Sequence, residues 1–236
     1  MATWLGLITG AYILGSVPVS YLVARRFYGL DLRQYGTGQM GGGNLWRMTS
    51  WRLGLPVGVF DFGKGMLMVW VAKLLGLDVA QQIMVGLGAT VGHNWSVFLR
   101  FHGGRGFATT SGVILILPLI NDMTPWPTVA FATIVVIGTV IVRSSPVSVL
   151  LGTATLPLVS WRFGEPMVVT LSFLAMFLVI VIKRLSAPGP AEAVSRKRLF
   201  LNRLLFDRDI KDRKAWMFRK SPGDKATERP KPGKLT

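Results

Sequence analysis

The chain has 236 residues, half of them apolar and 16% charged, with 27 Lys and Arg against 11 Asp and Glu for a formal net charge of +16. It contains no cysteine, which excludes a disulfide framework, cysteine-ligated zinc or iron–sulfur centres and a cysteine nucleophile. The apolar content excludes disorder over the whole chain and leaves two basic classes, a nucleic-acid binder and a membrane protein.

Taken in chain order, long apolar stretches fill the first three quarters of the sequence. Residues 3–24 carry no charge, and 53–75 carry only Asp61, Lys64 and Lys73. Residues 79–99, 110–120, 127–142, 147–161 and 166–182 again carry no formal charge. A bilayer span needs about 20 apolar residues, and several of these stretches have that length. The stretch 110–120 is short and reads as a partial span or a buried helix. Helices of a soluble bundle would show a polar face, and most of these do not. Pro18, Pro56 and Pro157 fall inside or at the start of spans, where neighbouring groups can satisfy the freed carbonyls. Residues 3–24 do not read as a secretory leader, because Arg25 and Arg26 follow the apolar run instead of preceding it. The pattern predicts an all-α polytopic integral membrane bundle of about seven spans.

Charge then sets the expected orientation. With the N-terminus outside, Arg25, Arg26, Arg33, Arg47, Arg52, Arg100, Arg105 and Arg143 fall on the cytoplasmic side, and only Lys73 and Arg162 fall outside. The positive-inside rule therefore predicts an external N-terminus and a cytoplasmic C-terminus in the plasma membrane. Residues 183–236 hold 16 Lys and Arg against 6 Asp and Glu. This surplus suits contact with an anionic leaflet, and no nucleic-acid partner is expected. The division predicted is a membrane domain over residues 1–209 and a basic, disordered tail over 210–236; Pro, Gly and Lys crowd its last residues, 221–236.

Three polar clusters interrupt the apolar chain. The first is Gly36-Thr37-Gly38-Gln39-Met40-Gly41-Gly42-Gly43-Asn44, followed by Arg47. Bare backbone can turn tightly and bring N–H groups to an anion, and Arg47 adds a guanidinium that can fork onto phosphate oxygens. A flexible connector is the alternative reading. The second runs through Gly92-His93-Asn94 to Gly103-Gly104-Arg105-Gly106 and Thr109, which repeats glycine plus cation. His93 is a candidate base or phosphate donor, or a structural histidine. The third, Asp61-Phe62-Gly63-Lys64-Gly65, places opposite charges three residues apart on one helix face. Within a bilayer they must pair or face a polar cavity, either as a structural ion pair or as support for an arginine. The orientation puts the first two clusters on the same face, which suggests a site for one or two phosphate groups. No metal site is expected from scattered carboxylates and two histidines.

These residues also resemble a known family, the bacterial acyl-phosphate:glycerol-3-phosphate acyltransferases, over roughly residues 14–109. Gly36 to Arg47 is similar to the family's G-S-G-N-x-G-A-T-N-x-x-R motif, Asp61 to Gly65 to D-x-x-K-G, and Gly92 to Thr109 to G-H-N followed by F-K-G-G-K-G-x-A-T. The chain departs from these motifs with Thr37 for Ser, Gln39 for Asn, Gly42 for Ala, Gly43 for Thr and Arg105 for Lys. The family's C-terminal H-R-x-N-I-x-R-L-L overlays best on residues 197–205, with Lys197 at the His and Phe200 at the Asn.

The resemblance implies a seven-helix membrane fold with its motifs facing the cytoplasm. It also implies acyl transfer from acyl phosphate to glycerol 3-phosphate, giving lysophosphatidate without a cofactor. Under that reading Arg105, Arg47 and His93 are the catalytic candidates. Gly36, Thr37, Gly38, Gln39, Gly41, Asn44, Gly103, Gly104, Gly106 and Thr109 are the phosphate-binding candidates, and Asp61 and Lys64 support them. The attacking hydroxyl would lose its proton to a substrate phosphate oxygen or to His93. Alternatives are a relative with another acceptor or no activity, and a transporter of phosphate or organic anions.

Overall fold

The structure is a computed structural model that describes residues 2–142, 144–186, 195–212 and 216. Arg143 and nearly all of the basic tail lie outside the described residues, so those two expectations meet no structural observation. Among the described residues the fold is all helical. The helices are α1 (Ala2–Ser16), α2 (Val19–Tyr28), α3 (Gly42–Met48), α4 (Trp51–Leu74), α5 (Val79–Asn94), α6 (Phe107–Ile120), α7 (Trp126–Val142), α8 (Ser145–Arg162), α9 (Met167–Leu185) and α10 (Arg196–Phe206).

Each of the seven apolar stretches carries a helix, but the first is divided. Pro18 has no N–H to continue the ladder and its ring crowds the preceding turn, so α1 stops at Ser16 and α2 restarts at Val19. The break leaves carbonyls for other groups to satisfy. Gly15 O accepts from Lys64 Nζ at 2.8 Å, and Ser16 O accepts from Ser96 Oγ at 2.5 Å. Pro56, Pro118 and Pro157 are carried inside α4, α6 and α8 without ending them. Three segments, Ala2–Tyr28, Trp51–Leu74 and Met167–Leu185, are long and apolar enough to cross a bilayer, and α6 and α7 are apolar but shorter.

The distribution of polarity suits lipid as the surrounding solvent. Large apolar side chains point outward, among them Leu119, Val140, Ile141, Leu158 and Val168. Polar side chains turn inward: Ser16, Asp61, Lys64, Thr90, Asn94, Thr153 and Ser160 are all buried. In lipid, polar groups must find partners within the protein.

Helix α5 is the centre of the bundle and packs on α1, α4, α6 and α9. It starts with a capping box, Asp78 Oδ1 accepting from Gln81 N at 2.9 Å and Gln81 Oε1 from Asp78 N at 3.1 Å. Small residues set its distance from α1, as is usual where helices meet in a membrane. A Cβ at Gly92 would overlap the Tyr12 carbonyl and one at Gly15 the Ala89 carbonyl. Gly65 on α4 meets the Thr109 carbonyl of α6 in the same way.

Candidate active site at one end of the bundle

The first glycine-rich loop is a built structure. Helix α2 ends at Gly29, which takes φ +65°, with its N–H on Arg25 O at 3.2 Å. Leu30 and Leu32 then bury against Leu45 and Val57. Asn44, 3% exposed, holds the turn that follows: its Oδ1 accepts from Thr37 N at 3.0 Å, and its Nδ2 donates to Tyr35 O and Gln39 O, each at 3.1 Å. Gly36 and Gly38 adopt φ +63° and +70° within that turn, a region that costs other residues energy. Gly41 caps α3 and accepts from the N–H groups of Asn44 and Leu45. The structure thus commits Asn44 to the loop, while Thr37, Gln39 and Arg47 line a cavity.

The second loop leaves α5 and folds back on it. Gly104 N donates to His93 O at 2.9 Å. Gly103 lies against the Asn94 carbonyl and Gly104 against the Met40 carbonyl and His93 Nε2, with no room for a Cβ at either place. Gly106, at φ +68°, starts α6. Thr109 is fully buried on α6, has no hydrogen-bond partner among the described residues, and does not line the cavity.

Arg105 is brought from this loop to the end of the chain. Its Nη1 donates to Lys183 O and its Nη2 to Asp207 O, both at 3.4 Å, and Nη1 lies 2.5 Å from Asp207 Oδ1. Arg184, 4% exposed, ties the last span to its neighbours through Leu204 O at 2.7 Å and Pro146 O at 2.6 Å. Lys183 donates to the Asn94 carbonyl and lies 5.0 Å over the Trp95 ring. Together these segments enclose a cavity of about 260 Å³ with Thr37, Gln39, Arg47, Arg105, Arg184, Asp207 and Arg208 in its wall. Among the described residues of this wall there are four guanidiniums and one carboxylate. Burial pulls the Arg105 pKa below the ordinary guanidinium value, against the upward pull of Asp207 and Asp209. Burial pushes Asp207 above the ordinary carboxylate value, against the downward pull of Arg105, Arg184 and Lys183.

The expected Asp61–Lys64 pair is present at 2.9 Å, with both side chains nearly fully buried. It reaches further than the spacing implied. His93 Nδ1 lies 2.9 Å from Lys64 Nζ and 3.3 Å from Asp61 Oδ1, and Lys64 also holds the carbonyl of the α1 break. This cluster faces its own small cavity of about 10 Å³, with Ser16, Ser96 and Gly103 in the wall, which is room for about one water. His93 is therefore not brought into the arginine-lined cavity; it packs beneath the loop that carries Arg105.

The sequence reading did not identify Lys183, Arg184, Asp207, Ser16 or Ser96. Lys183 and Arg184 had one visible signal, a cationic pair closing the last span. Within residues 197–205, overlaid on the family's C-terminal motif, Phe200 is half exposed on α10 and neither it nor Lys197 lines the cavity. Arg203 instead bonds Asp209 Oδ1 at 2.6 Å and Leu185 O at 3.2 Å, which folds the C-terminal segment over the site.

A helical bundle with an apolar outer surface and an arginine-lined cavity at one end defines a class: integral membrane proteins with a basic site suited to anions. Comparison with known proteins narrows it. A family model described as glycerol-3-phosphate acyltransferase matches residues 5–187, and the chain belongs to that family. Glycerol-3-phosphate acyltransferase 4 of Dehalococcoides mccartyi (strain CBDB1) is 39% identical over 228 residues, covering 93% of this chain and 95% of its own. Glycerol-3-phosphate acyltransferase 5 of Dehalococcoides mccartyi (strain ATCC BAA-2266 / KCTC 15142 / 195) is 40% identical over 219 residues, covering 89% and 91%. Among solved structures, PlsY (YgiH), an integral membrane glycerol 3-phosphate acyltransferase, superposes in its glycerol 3-phosphate form with a TM-score of 0.68. The two are 27% identical over 77% of this chain and 88% of that one.

Proposed function

We infer that this chain transfers a fatty acyl group from acyl phosphate to glycerol 3-phosphate, giving lysophosphatidate and phosphate. One observation carries the reading: Thr37, Gln39 and Arg47 from the first glycine-rich loop and Arg105 from the second line one cavity of about 260 Å³. Both substrates present phosphate oxygens, which guanidiniums bind with matched geometry. An acyl phosphate already carries a good leaving group, so positioning and charge stabilisation supply most of the catalysis.

In this reading Arg47 and Arg105 neutralise phosphate as it docks and as charge develops on the leaving group. The loops of Gly36, Gly38 and Gly41 and of Gly103, Gly104 and Gly106 bring backbone close to the oxygens. Asn44 sets the first loop. Asp61, Lys64 and His93 set the second from below, through the Gly104–His93 contact. Residues 1–209 form the catalytic membrane unit with about seven spans, the N-terminus outside and the cavity open to the cytoplasmic face of the plasma membrane, a reading that the cation distribution along the sequence supports. The lipid bilayer delivers the acyl tail between helices, and the tail beyond residue 209 contacts the anionic leaflet.

The test is turnover of palmitoyl phosphate with glycerol 3-phosphate by the protein in lipid. Lysophosphatidate and released phosphate are expected in equal amounts. Arg47→Ala and Arg105→Ala should each lower kcat/KM by about 100-fold or more; near-normal rates in both would overturn the assignment of the cavity.

A further inference from the structure

We propose that the outer face of α10 is a docking surface for an anionic lipid leaflet, so that this helix lies in the plane of the membrane surface beside the bundle. Three large apolar side chains make that face: Phe200, Leu201 and Leu205 are 50%, 43% and 38% exposed. Leu201 and Leu205 stand one turn apart, and Phe200 and Leu204 form the adjoining row. Three exposed cations, Arg196, Lys197 and Arg198, open the helix. An apolar face edged by cations on a helix that buries no residue of its own is the composition of an interfacial helix.

The opposite side of α10 is tied down, which fixes the face that looks outward. Asn202 Nδ2 donates to Asp209 O at 3.0 Å, and Arg203 donates to Asp209 Oδ1 and Leu185 O. Arg184 reaches Leu204 O from α9. The helix packs on α8 and α9, which present Leu151, Leu178 and Ile182 as exposed apolar side chains. The lipid-facing surface of the bundle therefore continues towards this end. Phe206, Asp207 and Arg208, next along the chain, line the arginine-lined cavity, so the docking surface borders the site.

The cations point to an anion outside the helix. A helix N-terminus carries partial positive charge and favours acidic side chains, yet the first turn of α10 holds three basic residues and no acidic one. The helix dipole and the mutual repulsion of the three charges both oppose this arrangement. The nearby carboxylates are engaged elsewhere, Asp207 with Arg105 and Asp209 with Arg203. A leaflet of anionic headgroups over hydrocarbon supplies both missing partners, phosphates for the cations and acyl chains for Phe200, Leu201 and Leu205. A nucleic acid would answer the charges alone, and an apolar protein groove the side chains alone.

The experiment uses the full chain in phosphatidylglycerol vesicles and in phosphatidylcholine vesicles. The chain has no cysteine, so Phe200→Cys, Leu205→Cys and Asp122→Cys each carry one nitroxide label; Asp122 is an exposed reference after α6. Relaxation by oxygen, which concentrates in hydrocarbon, is compared with relaxation by a nickel chelate confined to water. In phosphatidylglycerol the labels at 200 and 205 should report a depth of about 5–10 Å into the headgroup and acyl boundary, and the label at 122 should report water. Each cation near an anionic surface favours the bound state by about fivefold. The bound fraction at 200 should therefore fall in phosphatidylcholine, and also in phosphatidylglycerol once Arg196→Gln, Lys197→Gln and Arg198→Gln are combined, where the equilibrium shifts by roughly 100-fold. The label is itself apolar, so Leu201→Asp on the Phe200→Cys background is the counter-test and should lift the label into water. Labels at 200 and 205 as open to the chelate as that at 122 overturn the proposal. So does a depth that ignores both vesicle charge and the three glutamines, or one that survives Leu201→Asp. Labels shielded from oxygen and chelate alike mean that protein, such as a second copy of the chain, covers the face, and overturn it as well. The reading is independent of turnover, so its failure leaves the acyl-transfer reading standing.

Discussion

Gly104→Ala isolates the contact between the buried polar cluster and the loop that carries Arg105. A methyl at Gly104 would fall inside the Met40 carbonyl oxygen and His93 Nε2, whereas unstrained carbon contacts lie at about 3.5 Å. The Met40 oxygen is backbone, and His93 is held by Asp61 and Lys64, so neither yields and the loop must move by roughly an ångström. Overpacking of this kind costs about 1–3 kcal/mol, while misplacing a substrate-positioning group by about 1 Å can cost on the order of 100-fold in rate. The expected variant is therefore folded and nearly inactive. Phosphate release from palmitoyl phosphate with glycerol 3-phosphate measures the second effect, and thermal unfolding in the same lipid measures the first. Gly63→Ala serves as the comparison: its Cβ would meet nothing within 4 Å, so its helix should gain up to about 1 kcal/mol with turnover unchanged. If Gly104→Ala works within threefold of wild type, the His93–Gly104 contact does not place Arg105, and the positioning role of the polar cluster falls.

The remaining predictions concern buried charge, the helix break and the arginine fork. Lys64→Met removes the cation of the buried pair and leaves Asp61 with His93 alone, at a cost of about 3–5 kcal/mol; adding Asp61→Leu should recover much of it, as urea or thermal unfolding of the single and double variants would show. Ser96→Ala leaves Ser16 O without its 2.5 Å donor, a loss of about 1–3 kcal/mol that unfolding would register with little change in KM. Arg105→Lys keeps the charge but cannot span Lys183 O, Asp207 O and the Asp207 carboxylate together. The expected result is a fall of about tenfold in kcat/KM, and an unchanged value would mean that charge alone suffices at this position.

What the sequence reveals about this protein divides by the range of the interaction. Apolar runs are a local property, and each of the seven carries a helix. The Asp61–Lys64 pair was legible because three residues on a helix fix two side chains on one face. Asn44 was legible as polar and near glycine, but not as a staple, because its partners are carbonyls that only the folded loop brings within reach. The break at Pro18 shows the same limit more sharply. Proline at that position announces freed carbonyls, but nothing local names their donors, which come from 49 and 80 residues away in Lys64 and Ser96. Those donors also tie the break to the arginine-lined cavity: Lys64 meets His93, His93 meets Gly104, and Gly104 precedes Arg105. Asp207 was the least legible, since aspartate in a basic C-terminal segment reads as solvated surface charge. Only the return of the chain over the end of α9 turns it into the one carboxylate, among the described lining residues, of a wall of arginines. Arginines clustered with glycines are thus visible in the sequence, whereas the carboxylate that the fold sets among them is visible only in the structure.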